Sequence, residues 1–104
     1  MSSRNLLWVA LLALPAQAAD LAPELWDRPR SASTIMAQPA VQQAVAAYQA
    51  SSAARIMIIH GPRQEALLQA EELRAWLVAL AVDGARLQLR ADPLAAVLRL
   101  EVAE

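Results

Sequence analysis

Apolar residues recur at helical spacing in a segment beginning at Pro39. They fall at positions i, i+3, i+4 and i+7, so they share one face of a helix, with glutamines on the other face. These residues are Val41, Ala44, Val45 and Tyr48. Proline suits the first helical position because its missing N–H would have no partner there. The pattern predicts a core-facing helix over residues 39–51.

A second helical stripe follows in residues 65–82. Its apolar positions again lie three or four residues apart. They are Ala66, Ala70, Leu73, Leu77 and Leu80. Asp83 and Gly84 come directly after the stripe, and glycine is the residue that most often ends a helix. We therefore expect this helix to run to about Val82, with Gly84 as its C-cap.

Three segments have the character of strands. Residues 55–60 (RIMIIH) form a short run rich in β-branched side chains, apolar on both faces, which is typical of a strand in the middle of a sheet. Residues 86–90 and 98–102 alternate apolar with polar side chains and are separated by the turn-prone Asp92-Pro93. We expect these two to form an antiparallel pair with one solvated face.

The predicted order is helix, strand, helix, strand, strand. A strand, a crossover helix and a following strand usually form a right-handed parallel unit. We expect an α/β (α+β) fold, a small two-layer sandwich with both helices on one face of a three-stranded mixed sheet. The lead-in segment could add a short strand. The second face of the 55–60 strand would then need cover from the lead-in segment or a partner.

The N-terminus has the pattern of a secretory signal peptide. Arg4 precedes an unbroken apolar run over residues 6–14, and Pro15 then precedes Ala16-Gln17-Ala18, which fits an A-x-A cleavage box. Nine apolar residues are too few for a membrane span, which needs about 20. An uncleaved anchor is the alternative, and a lipoprotein is excluded because no cysteine follows the run. We expect cleavage after Ala18 or Ala19 and a periplasmic or secreted product.

The chain thus divides into a signal peptide over residues 1–18, an irregular lead-in segment over 19–38 and a small α/β domain over 39–104. The lead-in carries Trp26, which we expect to dock on the domain because an exposed tryptophan is costly. No stable membrane span is expected after cleavage.

Charge and composition exclude several functions. Without Arg4 the exported chain has eight arginines against ten acidic residues and no basic cluster, which argues against nucleic acid as a partner. The chain has no cysteine and one histidine, so thiol nucleophiles, thiolate metal sites and the usual zinc sets cannot be assembled from one copy. We predict no catalytic residues, no metal, no cofactor and no enzyme activity.

The best candidate for a binding site is the run from His60 to Arg63 (HGPR). It lies at the carboxyl end of the central strand and just before a helix, where ligands collect in open α/β sheets. A small anion or carboxylate would suit this place. The alternative is that His60 only ends the strand, that Gly61-Pro62 is a turn and that Arg63 is solvated.

Residues 55–87 resemble the central part of the OmpA-like peptidoglycan-binding domain. The shared features are the strand and glycine of residues 56–61, an Arg74-Ala75 pair within an amphipathic helix, and Gly84 before the next strand. In that family a loop aspartate and the helix arginine grip the stem peptide of peptidoglycan. The loop here, residues 61–64, has no acid, so the resemblance implies a binding role for Arg74 alone.

Together these observations predict an exported, non-catalytic accessory or interaction protein of the cell envelope. Its partner would be another envelope protein. The alternative is direct binding of peptidoglycan fragments by a degenerate OmpA-like domain through His60, Arg63 and Arg74. An enzyme would require His60 to titrate in a closed pocket beside a substrate-facing group.

Overall fold

The structure is a computed structural model that describes residues 17–104. Four strands and three α-helices lie in that range. The strands are β1 (Gln17–Asp20), β2 (Arg55–His60), β3 (Leu87–Ala91) and β4 (Arg99–Ala103). The helices are α1 (Ala32–Met36), α2 (Pro39–Ala50) and α3 (Gln64–Ala79). The predicted α+β class is confirmed, whereas the apolar run of the predicted signal peptide lies outside the described residues.

The sheet is mixed and has four strands in the order β1-β4-β2-β3. Strand β2 pairs in parallel with β3 and antiparallel with β4, and β1 adds to the outer edge of β4. The prediction that β3 and β4 form an antiparallel pair is wrong, because β2 lies between them. The alternating pattern specified which face of each strand is buried, but it carried no information on which strand lies beside which. The most apolar strand takes a central position with a ladder on each side.

One core fills the space between the helices and one face of the sheet. In β2 the core residues are Ile56 and Ile58, and Leu100 and Val102 face the same side from β4. Both long helices bury their apolar stripes against this face. The helical core residues are Ala40, Val41 and Ala44 of α2 and Ala70, Leu73 and Leu77 of α3. Both helices therefore lie in a single layer, as predicted.

The second face of the sheet is largely polar. Two apolar residues of β2 face this side, the half-buried Met57 and Ile59, which has 2% of its surface exposed. The neighbours of Ile59 in the register are Arg90 of β3 and Arg99 of β4. Arg90 pairs with Glu101, and Arg99 pairs with Asp20 at 3.0 Å. Ion-paired arginines therefore flank the apolar side chain for which we expected cover from the lead-in segment or a partner.

The lead-in segment is structured rather than irregular. It forms a 3-10 turn over Pro23–Asp27 and the short helix α1, whose Ser31 and Thr34 cap its start reciprocally. Leu21, Leu25 and Ile35 are buried in the core. Trp26 is half-buried and packs against the same core, as predicted. The three anchors are spaced too irregularly to show a period, which is why the sequence pattern missed them.

Helix α3 ends five residues before Gly84. The N–H of Val82 donates to the carbonyl of Leu77, and the N–H of Ala81 donates to that of Val78. This is the Schellman arrangement, and Ala81 occupies its left-handed position with φ of 76°. Gly84 instead begins a 3-10 turn that leads into β3. None of the helices in residues 17–104 is long and apolar enough to cross a membrane.

Candidate functional site

A groove opens at the carboxyl end of β2, where the sequence predicted a site. Its walls are the loop after β2, the first turns of α3 and the connection between β3 and β4. The volume is about 490 Å³, and the lining includes Pro62, Arg63, Ala66, Gln69 and residues 95–98. We call this the β2-end groove. Apolar side chains and backbone dominate it, and Arg63 is its charged residue.

The β3–β4 connection forms one wall because it crosses directly over the end of β2. The N–H of Asp92 donates to the carbonyl of His60 at 2.8 Å. The carbonyl oxygen of Ala95 lies so near Gly61 that an added Cβ would be only 2.7 Å from it. A glycine at position 61 lets the loop pack closely on the strand end. The crossing follows from the strand order, since the chain must pass β2 to travel from β3 to β4.

The groove continues toward the lead-in segment. A second depression of about 290 Å³ shares the Arg63, Ala66 and Gln69 wall and adds Pro23 and Trp26. Asp27 and Glu65 also line it, so both signs of charge are present at this end. The combined surface is an elongated channel rather than a closed pocket, and an extended chain would suit its shape better than a small molecule.

Arg63 is the predicted site residue that does line the groove. It is exposed and takes the N-cap position of α3, where its extended backbone (φ −74°, ψ 147°) starts the helix. No side chain caps the first-turn N–H groups of α3. Those groups and the guanidinium place positive charge at the groove, and a nearby Glu65 in the first helical turn opposes it.

His60 does not line the groove. Its side chain is 8% exposed and falls on the helical face of β2, in register with Ile56 and Ile58. Its Nδ1 lies 2.9 Å from the carbonyl oxygen of Gly61. The alternation of side chains along a strand accounts for this placement, because positions 56, 58 and 60 share one face.

Arg74 does not line the groove either, and it is far from Arg63. It lies eleven residues after Arg63, which corresponds to about 16 Å along a helix axis. Its Nη2 donates to the carbonyl oxygen of Gly84 at 3.0 Å and so ties α3 to the turn before β3. The three predicted site residues, His60, Arg63 and Arg74, are therefore not brought together around one ligand.

Two further charged clusters were missed by sequence reasoning. Glu72 accepts two hydrogen bonds from Arg30, at 2.7 and 2.8 Å, and a third from the Trp76 indole at 3.2 Å. The hydrogen bonds from Arg30 lower the pKa of Glu72, against a smaller opposing effect of desolvation. This pair fastens the lead-in segment to α3. The four-residue spacing of Glu72 and Trp76 was visible, but Arg30 lies far away in the sequence.

The second missed cluster is centred on Arg86. Its guanidinium donates to the backbone carbonyls of Ala54 at 2.7 Å and Ser51 at 2.6 Å, and it stacks on the Tyr48 ring at 3.9 Å. These carbonyls follow the end of α2, where an arginine satisfies acceptors that the helix leaves open. Arg86 thus holds the α2–β2 connection in place, and its role is structural.

No protein-family model, curated protein or solved structure matches the chain. Within residues 17–104, no three His, Asp or Glu side chains lie together as a metal site would require. The fold and the β2-end groove are therefore the observations from which a function has to be argued.

Proposed function

We propose that this chain is an exported, non-catalytic accessory protein of the cell envelope that binds another envelope protein in the β2-end groove. The observation that carries the proposal is Leu94, which is 91% exposed at the rim of an open groove lined by both polar and apolar surface. Leu94 lies between Pro93 and Ala95, and both of these residues line the groove. A partner that covers Leu94 would gain about 2 kcal/mol from that side chain alone.

The proposal of export depends on the N-terminal pattern of a basic residue, a short apolar run and a small-residue box. A role in binding rather than catalysis is supported by where the polar side chains are used. Arg30, Arg74 and Arg86 hold elements of the fold together. His60 faces the helical layer instead of the groove. The groove therefore offers a partner its shape and its apolar side chains, with Arg63 as the one exposed cation in its lining.

Site-specific photocrosslinking in living cells would test the groove. A photoreactive amino acid replaces Leu94 in one strain and Ala46 in the control strain, because Ala46 is exposed on α2. We expect a crosslinked adduct of defined mass from position 94 and none from position 46. Ala66→Arg, which fills the groove, should abolish the adduct. An adduct of equal yield at both positions, or none at position 94, contradicts the proposal.

A second candidate is binding of peptidoglycan fragments, and Arg63 is the observation that favours it. This exposed guanidinium lies at the uncapped start of α3 and could hold a stem-peptide carboxylate. Sedimentation of the protein with purified peptidoglycan tests this candidate. Binding should weaken about tenfold or more in Arg63→Ala, if a charged hydrogen bond is lost. Arg55→Ala, an exposed cation on β2, is the matched control, and equal effects would exclude Arg63 as the ligand.

A further inference from the structure

The predicted cleavage box and a strand of the sheet overlap. Strand β1 comprises Gln17–Asp20, and the Ala18–Ala19 peptide bond is at its centre. The strand pairs antiparallel with β4, with Ala18 opposite Glu101 and Ala19 opposite Leu100. Cleavage after Ala18 therefore removes half of β1 and leaves Ala19 and Asp20 paired.

The register shows which backbone groups lose their partners. The N–H of Leu21 donates to the carbonyl of Leu98 at 2.9 Å. Because hydrogen-bonded pairs alternate in an antiparallel ladder, the pairs two and four residues further on are also hydrogen-bonded. The pair four residues further on from Leu21 and Leu98 is that of Gln17 and Val102. Cleavage thus frees the N–H and C=O of Val102.

A shallow depression lies beside this edge. It lies between β1 and α2, has no room for a water molecule, and its lining includes Ala40, Ala44, Leu100 and Val102. In the unprocessed chain β1 contributes Gln17, Ala18 and Ala19 to the same lining. Loss of Gln17 would expose more of the Val102 and Ala44 side chains to water. The opened edge therefore offers both backbone hydrogen bonds and apolar contact.

We propose that removal of the leader turns the outer edge of β4 at Val102 into a docking edge for an extended strand of a partner envelope protein. The partner strand would run antiparallel to β4 and occupy the place of Gln17 and Ala18. This inference rests on the proposed export and cleavage. Strand β1 itself shows that the edge accepts an antiparallel strand in this register.

The surroundings of the edge define the chemistry of the strand. Its inward residue faces Ala44 and Val102, so valine or isoleucine fits there. Its outward residue lies beside Glu101 on the polar face, and Glu101 already pairs with Arg90 and Arg99, so a small uncharged residue such as threonine fits there. A second copy fits poorly, since pairing its β4 with this edge would place its Glu104 inward, beside Leu100 or Val102, and a carboxylate there is costly.

Two exported forms of the protein would test the inference. An unrelated cleavable leader is fused directly before Ala19 in one form and directly before Gln17 in the other, and intact mass confirms each N-terminus. We expect the Val102 amide to exchange with solvent at least about tenfold faster in the Ala19 form. The amides of Glu101 and Ala103, which face β2 in the ladder, should be equally protected in both forms.

An added strand is then supplied as a peptide, acetyl-Lys-Val-Thr-Val-Thr-amide. NMR titration up to millimolar peptide should shift the Val102 amide in the Ala19 form and leave the Gln17 form unchanged. Replacing both peptide valines with proline should abolish the shift, because proline donates no hydrogen bond. Three results overturn the inference: no shift in the Ala19 form, equal shifts in both forms, or a dimer of the Ala19 form held through β4.

These outcomes are separate from those of the export proposal. A natural product that retains Met1 would contradict export and leave the β4 edge closed in the cell. A correctly processed product that does not bind the peptide would contradict the docking edge and leave export intact.

Discussion

Ala81 holds a backbone conformation that glycine adopts at much lower cost. Its φ of 76° places it in the left-handed region at the end of α3. The side chain is exposed, so glycine would remove no buried contact. We expect Ala81→Gly to raise the free energy of unfolding by about 0.5–1 kcal/mol.

Urea denaturation of this variant and of Ala75→Gly makes the comparison. Ala75 is exposed within α3, where glycine costs about 1 kcal/mol. The two substitutions should therefore change stability in opposite directions. A loss of stability in Ala81→Gly would show that the left-handed residue does not limit the end of α3.

Gly61 is required for a close approach between two backbones. An added Cβ would lie 2.7 Å from the Ala95 carbonyl oxygen, closer than such contacts allow. We expect Gly61→Ala to cost about 1–3 kcal/mol, because the β3–β4 connection must shift. Thermal unfolding measures this loss.

Gly84→Ala is the matched control for Gly61. There the added Cβ would meet the Arg74 guanidinium at 3.0 Å, at the mobile end of a long side chain. The loss should be clearly smaller than at position 61. Equal losses would mean that the loop over β2 moves as easily as an arginine side chain.

At the scale of elements, the lead-in segment and α3 are joined by the pair of Arg30 and Glu72. The pKa of Glu72 lies below its ordinary value, chiefly because of the Arg30 hydrogen bonds. A lowered carboxyl pKa contributes stability that is present above the unfolded pKa, about 4.3, and is lost as the pH falls through the folded value. We expect Glu72→Gln to lower the Tm at pH 7 and to have much less effect at pH 3.

Glu71→Gln controls for the general loss of an acidic charge from α3, since Glu71 is an exposed neighbour. It should change the Tm little at either pH. Equal effects of the two substitutions at pH 7 would contradict the specific contact between Glu72 and Arg30.

Periodicity was sufficient for the elements but not for their arrangement. It predicted α2 and β2 to within one residue, because Pro39 and the β-branched run mark them clearly. It extended α3 to about Val82 with Gly84 as the C-cap, because the left-handed residue that ends the helix is an alanine. Strand β1 was allowed for only as a possible short strand of the lead-in segment and could not be placed, since Gln17-Ala18-Ala19-Asp20 has neither β-branched side chains nor alternation and depends on pairing with β4.

The position of the β2-end groove was predicted, whereas its lining was predicted only in part. Ligand sites at the carboxyl ends of strands are a property of the fold class, and the β2-end groove lies there. The other wall, residues 93–98, could not be assigned because the predicted pairing of β3 with β4 would have kept that connection away from β2. The sequence could have excluded His60 from the groove, because alternate residues of a strand share a face and His60 therefore lies on the same face as Ile56 and Ile58.

At the scale of the whole molecule, arginines of the lead-in segment, of α3 and of the turn before β3 fasten the elements together. We propose that the β2-end groove and the β4 edge are left for partners. Under the proposed export, strand β1 would overlap the leader. Both interaction proposals assume that the chain leaves the cytoplasm and loses its leader.

Intact-mass measurement of the natural protein after cell fractionation tests that assumption most directly. We expect a product in the exported fraction that begins at Ala19 or Asp20. A product that retains Met1, or one that stays with the cytosolic fraction, would contradict it.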